Sequence, residues 1–240
     1  MDLRKTALAY LNQNRLLYLN MLEVLRRGSG SLLWAGEDGV LLYDGPSGAH
    51  MLSARSRSAL DGMLRLLPAD CALLVGHEMW YRDELAERYG LWKEEPCLQA
   101  AWLAPEPPRI PDFGGELRLL DETWTPAVCA HYSKAELAGE EDVAAAIRTG
   151  MLGAFVDGAL AGFAGFHSEG TIGFLEVLPA YRRRGLGEIL LLGAVRMALE
   201  RGQYAFGQVL VGNAPSLALQ KKAGMTLSEQ PLYWLFRTDA

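Results

Sequence analysis

Cysteine is scarce in this chain and nothing pairs it. Cys71, Cys97 and Cys129 are odd in number, far apart and free of any Cys-x-x-Cys spacing, so they read as reduced thiols and not as a disulfide framework. The histidines, His50, His77, His131 and His167, show no ligand spacing with one another or with cysteine, and no metal is expected. No apolar run approaches the ~20 residues of a membrane span, and Met1-Asp2-Leu3-Arg4-Lys5 lacks the apolar stretch of a secretory signal. A cytoplasmic protein with no membrane partner is therefore expected. Basic charge is also in short supply: the formal net charge of −6 argues against a general nucleic-acid binder, which carries a basic face. Two phosphate-binding loops are missing as well. There is no Gly-x-x-x-x-Gly-Lys-Ser/Thr, and no Gly-x-Gly-x-x-Gly with an acidic residue at ribose distance, which disfavours an NTPase and a dinucleotide dehydrogenase.

What the chain does contain is a different turn. Half of its 240 residues are hydrophobic, enough for one large or two small cores. Residues 171 to 178 are rich in β-branched and apolar side chains, and residues 187 to 201 repeat at helical spacing through Ile189, Leu190, Gly193 and Met197. Between them lies Pro179-Ala180-Tyr181-Arg182-Arg183-Arg184-Gly185-Leu186-Gly187. A strand thus feeds a helix N-terminus through an Arg-x-x-Gly-x-Gly turn. The first helical N–H groups have no intrahelical partner and sit at the positive end of the helix dipole, so a diphosphate there meets donors and a favourable field together. Gly185 and Gly187 remove β-carbons that would hold it away and permit positive φ angles, while the three arginines add charge and fork-shaped donors. The plainer reading of the same residues is an ordinary turn with a solvated basic cluster.

Val177-Leu178-Pro179 followed by Arg182-x-x-Gly185-x-Gly187 resembles the signature of the GNAT superfamily of acyl-CoA-dependent N-acyltransferases. Downstream, Gln208-Val209-Leu210-Val211 leads to Asn213-Ala214-Pro215-Ser216-Leu217-Ala218-Leu219-Gln220-Lys221-Lys222-Ala223-Gly224-Met225, which is similar to the family's second motif. The resemblance covers roughly residues 116 to 237, and its C-terminal part looks like the glycine N-acyltransferase branch. It implies an α/β (α+β) fold, a mixed sheet flanked by helices in which two parallel strands splay to admit pantetheine. It further implies acetyl-CoA as co-substrate, with the backbone of Leu175 and Val177, the loop Arg182, Arg183, Arg184, Gly185, Leu186 and Gly187, and Asn213 and Ser216 as its contacts. For Asn213, capping of the helix that begins at Ala214-Pro215 is the competing role.

Four prolines within residues 105 to 111, followed by Gly114-Gly115, divide the chain. The expected organisation is a degenerate GNAT-like domain over 1–104, a linker over 105–115 and an N-acetyltransferase domain over 116–240. In the first part, Gly28 should stop a helical opening. Strands are expected at 31–35, 40–43 and 50–53, a helix at 56–67, a strand at 71–75, a helix at 80–89 and a strand at 98–103. In the second, a strand at 116–120 precedes helices at 125–137 and 140–149, and strands at 152–156 and 159–166 pair across Asp157-Gly158. Both halves then read β-β-β-α-β-α-β. Where the second has Arg-x-x-Gly-x-Gly, the first has Arg55-Ser56-Arg57-Ser58-Ala59-Leu60, whose β-carbons would crowd a diphosphate.

The implied chemistry is direct attack of a neutral amine on a thioester in a ternary complex. An alkylammonium has a pKa near ~10, so a base or a water relay must remove its proton. Glu176 is the candidate base, with Glu169 and His167 nearby in sequence. Strand alternation also allows Glu176 to be solvated or paired with an arginine. The branch resemblance puts the catalytic glutamate at Thr171, which cannot act as a base, and puts Gln220 where the family has a tyrosine acid. A thiol pKa of about 8.5 lets thiolate leave with hydrogen-bond help alone, from Gln220 or water. Otherwise Gln220 is a helix-surface residue. Tyr132, Trp124, Phe166, Tyr233 and Trp234 could line an acceptor pocket, but aromatics at these spacings are more often core. The function expected is transfer of acetyl to the amine of a small molecule or amino acid by a monomer or homodimer. A peptide acetyltransferase and a noncatalytic acyl-CoA sensor are the alternatives.

Overall fold

A computed structural model describes residues 2–134 and 138–237. Its contacts divide the chain into two compact units that do not follow sequence order. Unit 1 is Met1–Gln99, Val209–Ala214 and Leu227–Ala240; unit 2 is Ala100–Gln208 and Pro215–Thr226.

Unit 1 opens with helix α1 (Leu3–Leu11), whose free N–H groups are met by the Asp2 carboxylate at 3.0 Å from Arg4 N and 3.3 Å from Lys5 N. Helix α2 (Leu19–Arg27) ends at Gly28 with φ +66°, the left-handed stop expected of it. Strands β1 (Gly30–Gly36), β2 (Gly39–Asp44) and β3 (Ala49–Ala54) form an antiparallel meander. Helix α3 (Arg57–Leu64) follows, then strand β4 (Leu73–Gly76) parallel to β3, helix α4 (Arg82–Tyr89) and strand β5 (Lys93–Ala101). Helix α3 is three residues shorter than its apolar spacing suggests. Leu66 and Leu67 both donate to Met63 O, at 2.9 and 3.2 Å, which tightens the last turn before Pro68. Strand β5 starts five residues earlier than expected, through Pro96. That proline has no N–H to lose in a ladder, and its carbonyl still accepts from Val211 N at 3.0 Å.

Unit 2 comprises strand β6 (Glu116–Leu119), helices α5 (Thr125–His131) and α6 (Glu140–Gly150), strands β7 (Leu152–Val156), β8 (Ala159–Phe166) and β9 (Ile172–Val177), and helix α7 (Leu186–Glu200). Strand β10 (Phe206–Leu210), helix α8 (Ala214–Lys222) and the short β11 (Thr226–Leu227) come next. The last element, β12 (Leu232–Phe236), belongs to unit 1, where it lies between β4 and β5 and runs antiparallel to both. The sheet order is β1-β2-β3-β4-β12-β5 in unit 1 and β10-β9-β8-β7-β6 in unit 2. Each is mixed and helix-flanked, as expected.

The β7–β8 hairpin turns on Asp157 (φ 50°) and Gly158 (φ 79°), the two positive φ angles of a type I′ turn. Helix α5 ends at His131, short of the expected 137, because Tyr132 turns to an extended conformation after donating to Val128 O; residues 135–137 lie outside the described residues. Val128, Val143, Ile147, Met151, Phe155, Phe163 and Phe174 bury one face of this sheet, and α7 packs with Leu186 and Ile189 against Val177 and Tyr181. Burial on this scale contributes about 1.5–3 kcal/mol per large side chain, enough to hold a strand in a strained conformation. Among the described residues no helix is long and apolar enough to cross a membrane.

Candidate functional site

Strand β9 is where that strain appears. Phe174 has φ +48°, and opposite it the β8 register shifts between Phe163 and Gly165, a bulge that re-aims the side chains beyond it. A left-handed aromatic residue costs about 1–3 kcal/mol. Burial of its ring against Tyr132 (4.8 Å between centroids) and His167 (4.5 Å) offsets this. Along its other edge β9 pairs with β10 only at Ile172 and Gly207. From Gly173 to Val177 that edge has no strand partner among the described residues, which is the splay expected of the fold.

After β9, a short helical turn (Pro179–Tyr181) delivers the chain into the loop of Arg182 to Gly187. Left-handed angles fall on Arg183 (φ 66°) and Gly185 (φ 82°) but not on Gly187, which is already in the first turn of α7. The two glycines therefore serve different purposes. Gly185 caps the fifteen-residue helix without a side chain, and leaves its first N–H groups uncapped at the positive end of the dipole. At Gly187 a β-carbon would make only ordinary contacts, 3.4 Å from Leu219 and 3.7 Å from Val177. Gly185→Ala should lose about 1–2 kcal/mol to its left-handed backbone, whereas Gly187→Ala should leave stability level or raise it by up to about 1 kcal/mol through helix propensity. Urea unfolding of the two variants measures the contrast.

The charges around the loop are arranged. Arg182, Arg183 and Arg184 are exposed. Arg182 donates from Nε to Val177 O at 3.0 Å, and its Nη2 lies 4.0 Å from Glu176 Oε1. The Arg184 guanidinium stands 5.4 Å from the Tyr181 ring centroid. Glu188, the one acidic residue in the first turn of α7, is neutralised by Lys222 Nζ at 2.7 Å, so its charge does not cancel the helix-end field.

Of the two candidate catalytic residues, Glu176 sits on this strand with a side chain only 16% exposed, and Ser133 N donates to its Oε2 at 3.2 Å. The carboxylate is thus largely shielded from solvent, with the Arg182 guanidinium at the 4.0 Å outer limit of an ion pair. Gln220 is 6% exposed, not a helix-surface residue, and its buried carboxamide oxygen has no donor among the described residues. It lies beside Leu219, which packs on the start of α7. Thr171 is buried and donates to Glu169 Oε1 at 2.5 Å, so a carboxylate does occupy this turn, contributed from two residues earlier. Leu175 and Val177 are half-buried on β9, and Leu186 is buried in α7. Asn213 is exposed immediately before α8 and counts with unit 1; Ser216 is half-buried in α8 in unit 2.

The aromatic candidates separate. Tyr132 packs at a tilt on Phe174, Trp124 meets Phe155 edge-on at 5.2 Å, and Phe166 is buried with the Arg201 guanidinium 5.5 Å from its ring centroid. Tyr233 is core of unit 1 and Trp234 lies on the same strand, so neither belongs with unit 2. Ser133 and Lys222 were not foreseen in the site. Ser133 contributes a backbone N–H from 43 residues away, for which no sequence signal exists. Lys222 could have been suspected from a basic pair ending α8.

No curated protein matches the chain. Among solved structures, a protein from Drosophila malonogaster is 16% identical with a TM-score of 0.73, covering 100% of this chain and 97% of its own. A GCN5-related N-acetyltransferase from Kribbella flavida is 16% identical (TM-score 0.58, 94% and 95% covered). A GCN5-related N-acetyltransferase-like protein from Streptococcus suis is 18% identical (TM-score 0.55, 97% and 100% covered). At these identities the likeness is one of fold. Residues 117–225 match the family described as Acetyltransferase (GNAT) family.

Proposed function

We propose that the chain is an acyl-CoA-dependent N-acyltransferase. It moves acetyl from acetyl-CoA to the primary amine of a small molecule or amino acid by direct attack in a ternary complex. The observation that carries this reading is the strand edge of β9, unpaired from Gly173 onward, ending at the uncapped, arginine-rich start of α7. Amides of a pantetheine arm suit such an edge, and a diphosphate suits such a helix start. Leu175 and Val177 are the edge positions, Arg182 to Gly187 the diphosphate loop, and Asn213 and Ser216 further contacts.

The thioester supplies an electrophilic acyl carbon and a thiolate leaving group with a pKa of about 8.5, for which a strong acid is not required. Glu176 takes the proton of the incoming ammonium. Its carboxylate is held by Ser133 N rather than left to rotate, and a fixed base is what proton abstraction needs. Gln220 positions a donor group against its buried oxygen. Glu176→Gln should lower kcat/KM by about 10²–10⁴-fold while changing the Kd for acetyl-CoA by less than about 3-fold. Loss of both together would mean that Glu176 shapes the coenzyme site and is not the base.

The C-terminal part is proposed to be similar to the glycine N-acyltransferase branch, and the protein to act in the cytoplasm as a monomer or homodimer, without nucleic-acid or membrane partners. A noncatalytic acyl-CoA sensor is the second reading, favoured by the acceptor-only oxygen that Gln220 presents where the family has a tyrosine acid. Calorimetry with acetyl-CoA and CoA, followed by thiol release with glycine, other amino acids, amines and peptides, separates the readings. Acceptor-dependent release supports the transferase and names its acceptor; binding without release supports the sensor; no binding removes both.

A further inference from the structure

Each unit has a pair of parallel strands that run together and then part. In unit 2 these are β9 and β10; in unit 1 they are β3 and β4, whose ladder joins His50 to Leu74, Met51 to Val75 and Leu52 to Gly76 and then stops. Strand β3 continues to Ala54, paired with β2 on its other side. Its edge toward β4 is not bare there. His77 Nδ1–H donates to Leu52 O at 2.9 Å, and the Tyr81 hydroxyl, whose single proton is shared with the nearer Glu78 Oε2, lies 3.2 Å from the same oxygen. Ala54 N donates to Glu78 Oε2 at 3.0 Å, and the Trp80 indole N–H donates to Ala54 O at 3.1 Å. Side chains from one five-residue segment, 77–81, therefore occupy the backbone positions that a further strand or an extended amide chain would use.

The plug is itself held. Glu78 Oε1 accepts from Ser53 Oγ at 2.6 Å and from the Tyr18 hydroxyl at 2.9 Å, and Oε2 accepts from the Tyr81 hydroxyl at 2.6 Å. Tyr10 Oη lies 2.5 Å from Ser53 Oγ and extends the network to α1. Burial pushes the His77 imidazole pKa down, and its second ring nitrogen, Nε2, lies 3.0 Å from Asn20 Oδ1. A carboxylate saturated by four short donors is rigid, and displacing it would strand the Ala54 amide.

The loop that follows β3 is closed too. Where α7 begins with an uncapped glycine, α3 begins with Ser56, whose Oγ accepts from Ala59 N at 3.2 Å. Arg57 is bound to Glu84 and Asp61, at 2.5 and 2.8 Å. The Arg55 guanidinium lies 4.5 Å from the Tyr10 ring centroid and bonds Gln13. Edge, helix end and arginines are each taken by the chain's own side chains.

We propose that unit 1 is a sealed copy of the acyl-CoA fold, its splayed strand edge filled by residues 77–81, so that the chain binds one coenzyme and not two. The stoichiometry rests on the coenzyme reading of unit 2; the seal does not. Calorimetric titration of the full chain with acetyl-CoA should give one site, and Gly187→Trp should give none. A second saturable site, or one surviving in Gly187→Trp, overturns the proposal. Hydrogen exchange at the Ala54 amide tests the seal without any coenzyme. Glu78→Ala should speed that exchange roughly 10- to 100-fold, and Glu78→Gln, which keeps the shape and one acceptor oxygen, by less. Amides of β2 in the same samples report unfolding of unit 1 as a whole. Should Ala54 exchange be unchanged in both variants, residues 77–81 do not close the edge, whatever the stoichiometry. If acetyl-CoA fails to bind at all, the function proposed for unit 2 falls, while the exchange arm still decides the seal.

Discussion

Gly187→Trp should weaken acetyl-CoA binding by at least about 100-fold, or roughly 2.7 kcal/mol, in a protein that still folds. The reason lies in what surrounds Gly187. Its added β-carbon would meet only Leu219 and Val177, at ordinary contact distances, so the first atom of any side chain is tolerated by the protein. The indole beyond it must cover the first turn of α7, whose N–H groups have no side-chain cap. A diphosphate held by those amides loses them and is pushed from the helix-end field at once. Gly187→Ala offers the graded control, with an expected loss of about 3- to 10-fold, since one methyl displaces the ligand without covering the amides. Calorimetry on both, with unfolding curves recorded alongside, makes the measurement. Wild-type affinity in a folded Gly187→Trp protein would place the coenzyme elsewhere.

Tyr233→Ala should cost unit 1 about 3–5 kcal/mol, on the scale of a domain's whole stability of about 5–15 kcal/mol. Tyr233 is fully buried on β12. Its ring lies against Gly76, where even a β-carbon would come within 2.2 Å, and its hydroxyl donates to Glu78 O at 3.2 Å. The substitution thus opens a ring-sized cavity and leaves a buried carbonyl without its donor. A chain ending at Glu229 loses β12 altogether, with its ladders to β4 and to β5, and should show no cooperative transition for unit 1. Urea denaturation followed by tryptophan fluorescence gives the first value. A loss below about 1 kcal/mol would mean that β12 is not a core strand of unit 1.

Local signals explain much of what was legible. The β7–β8 hairpin follows from Asp157-Gly158, the stop of α2 from Gly28, and the strand-loop-helix of β9 and α7 from a proline and two glycines. These residue types act through backbone conformations that neighbours three or four positions away complete. Where the legible pattern misled, the deciding partner was remote. Residues 93–97 lie ahead of the strand expected at 98–103, yet they belong to strand β5, because β12 pairs with them from more than 130 positions along the chain. Gly185 and Gly187 look equivalent in sequence, but the left-handed backbone falls on Arg183 and Gly185.

The sequence by itself determined the order of strands and helices and the Arg-x-x-Gly-x-Gly turn between β9 and α7, because turn chemistry and hydrophobic period are local. Only the tertiary structure decided that Glu176 is anchored by Ser133, that Gln220 faces inward with an unmet acceptor, that β12 completes unit 1, and that residues 77–81 fill the edge of β3. Each of these depends on which backbone groups are left over after all ladders have formed, and that remainder is a property of the assembled sheet.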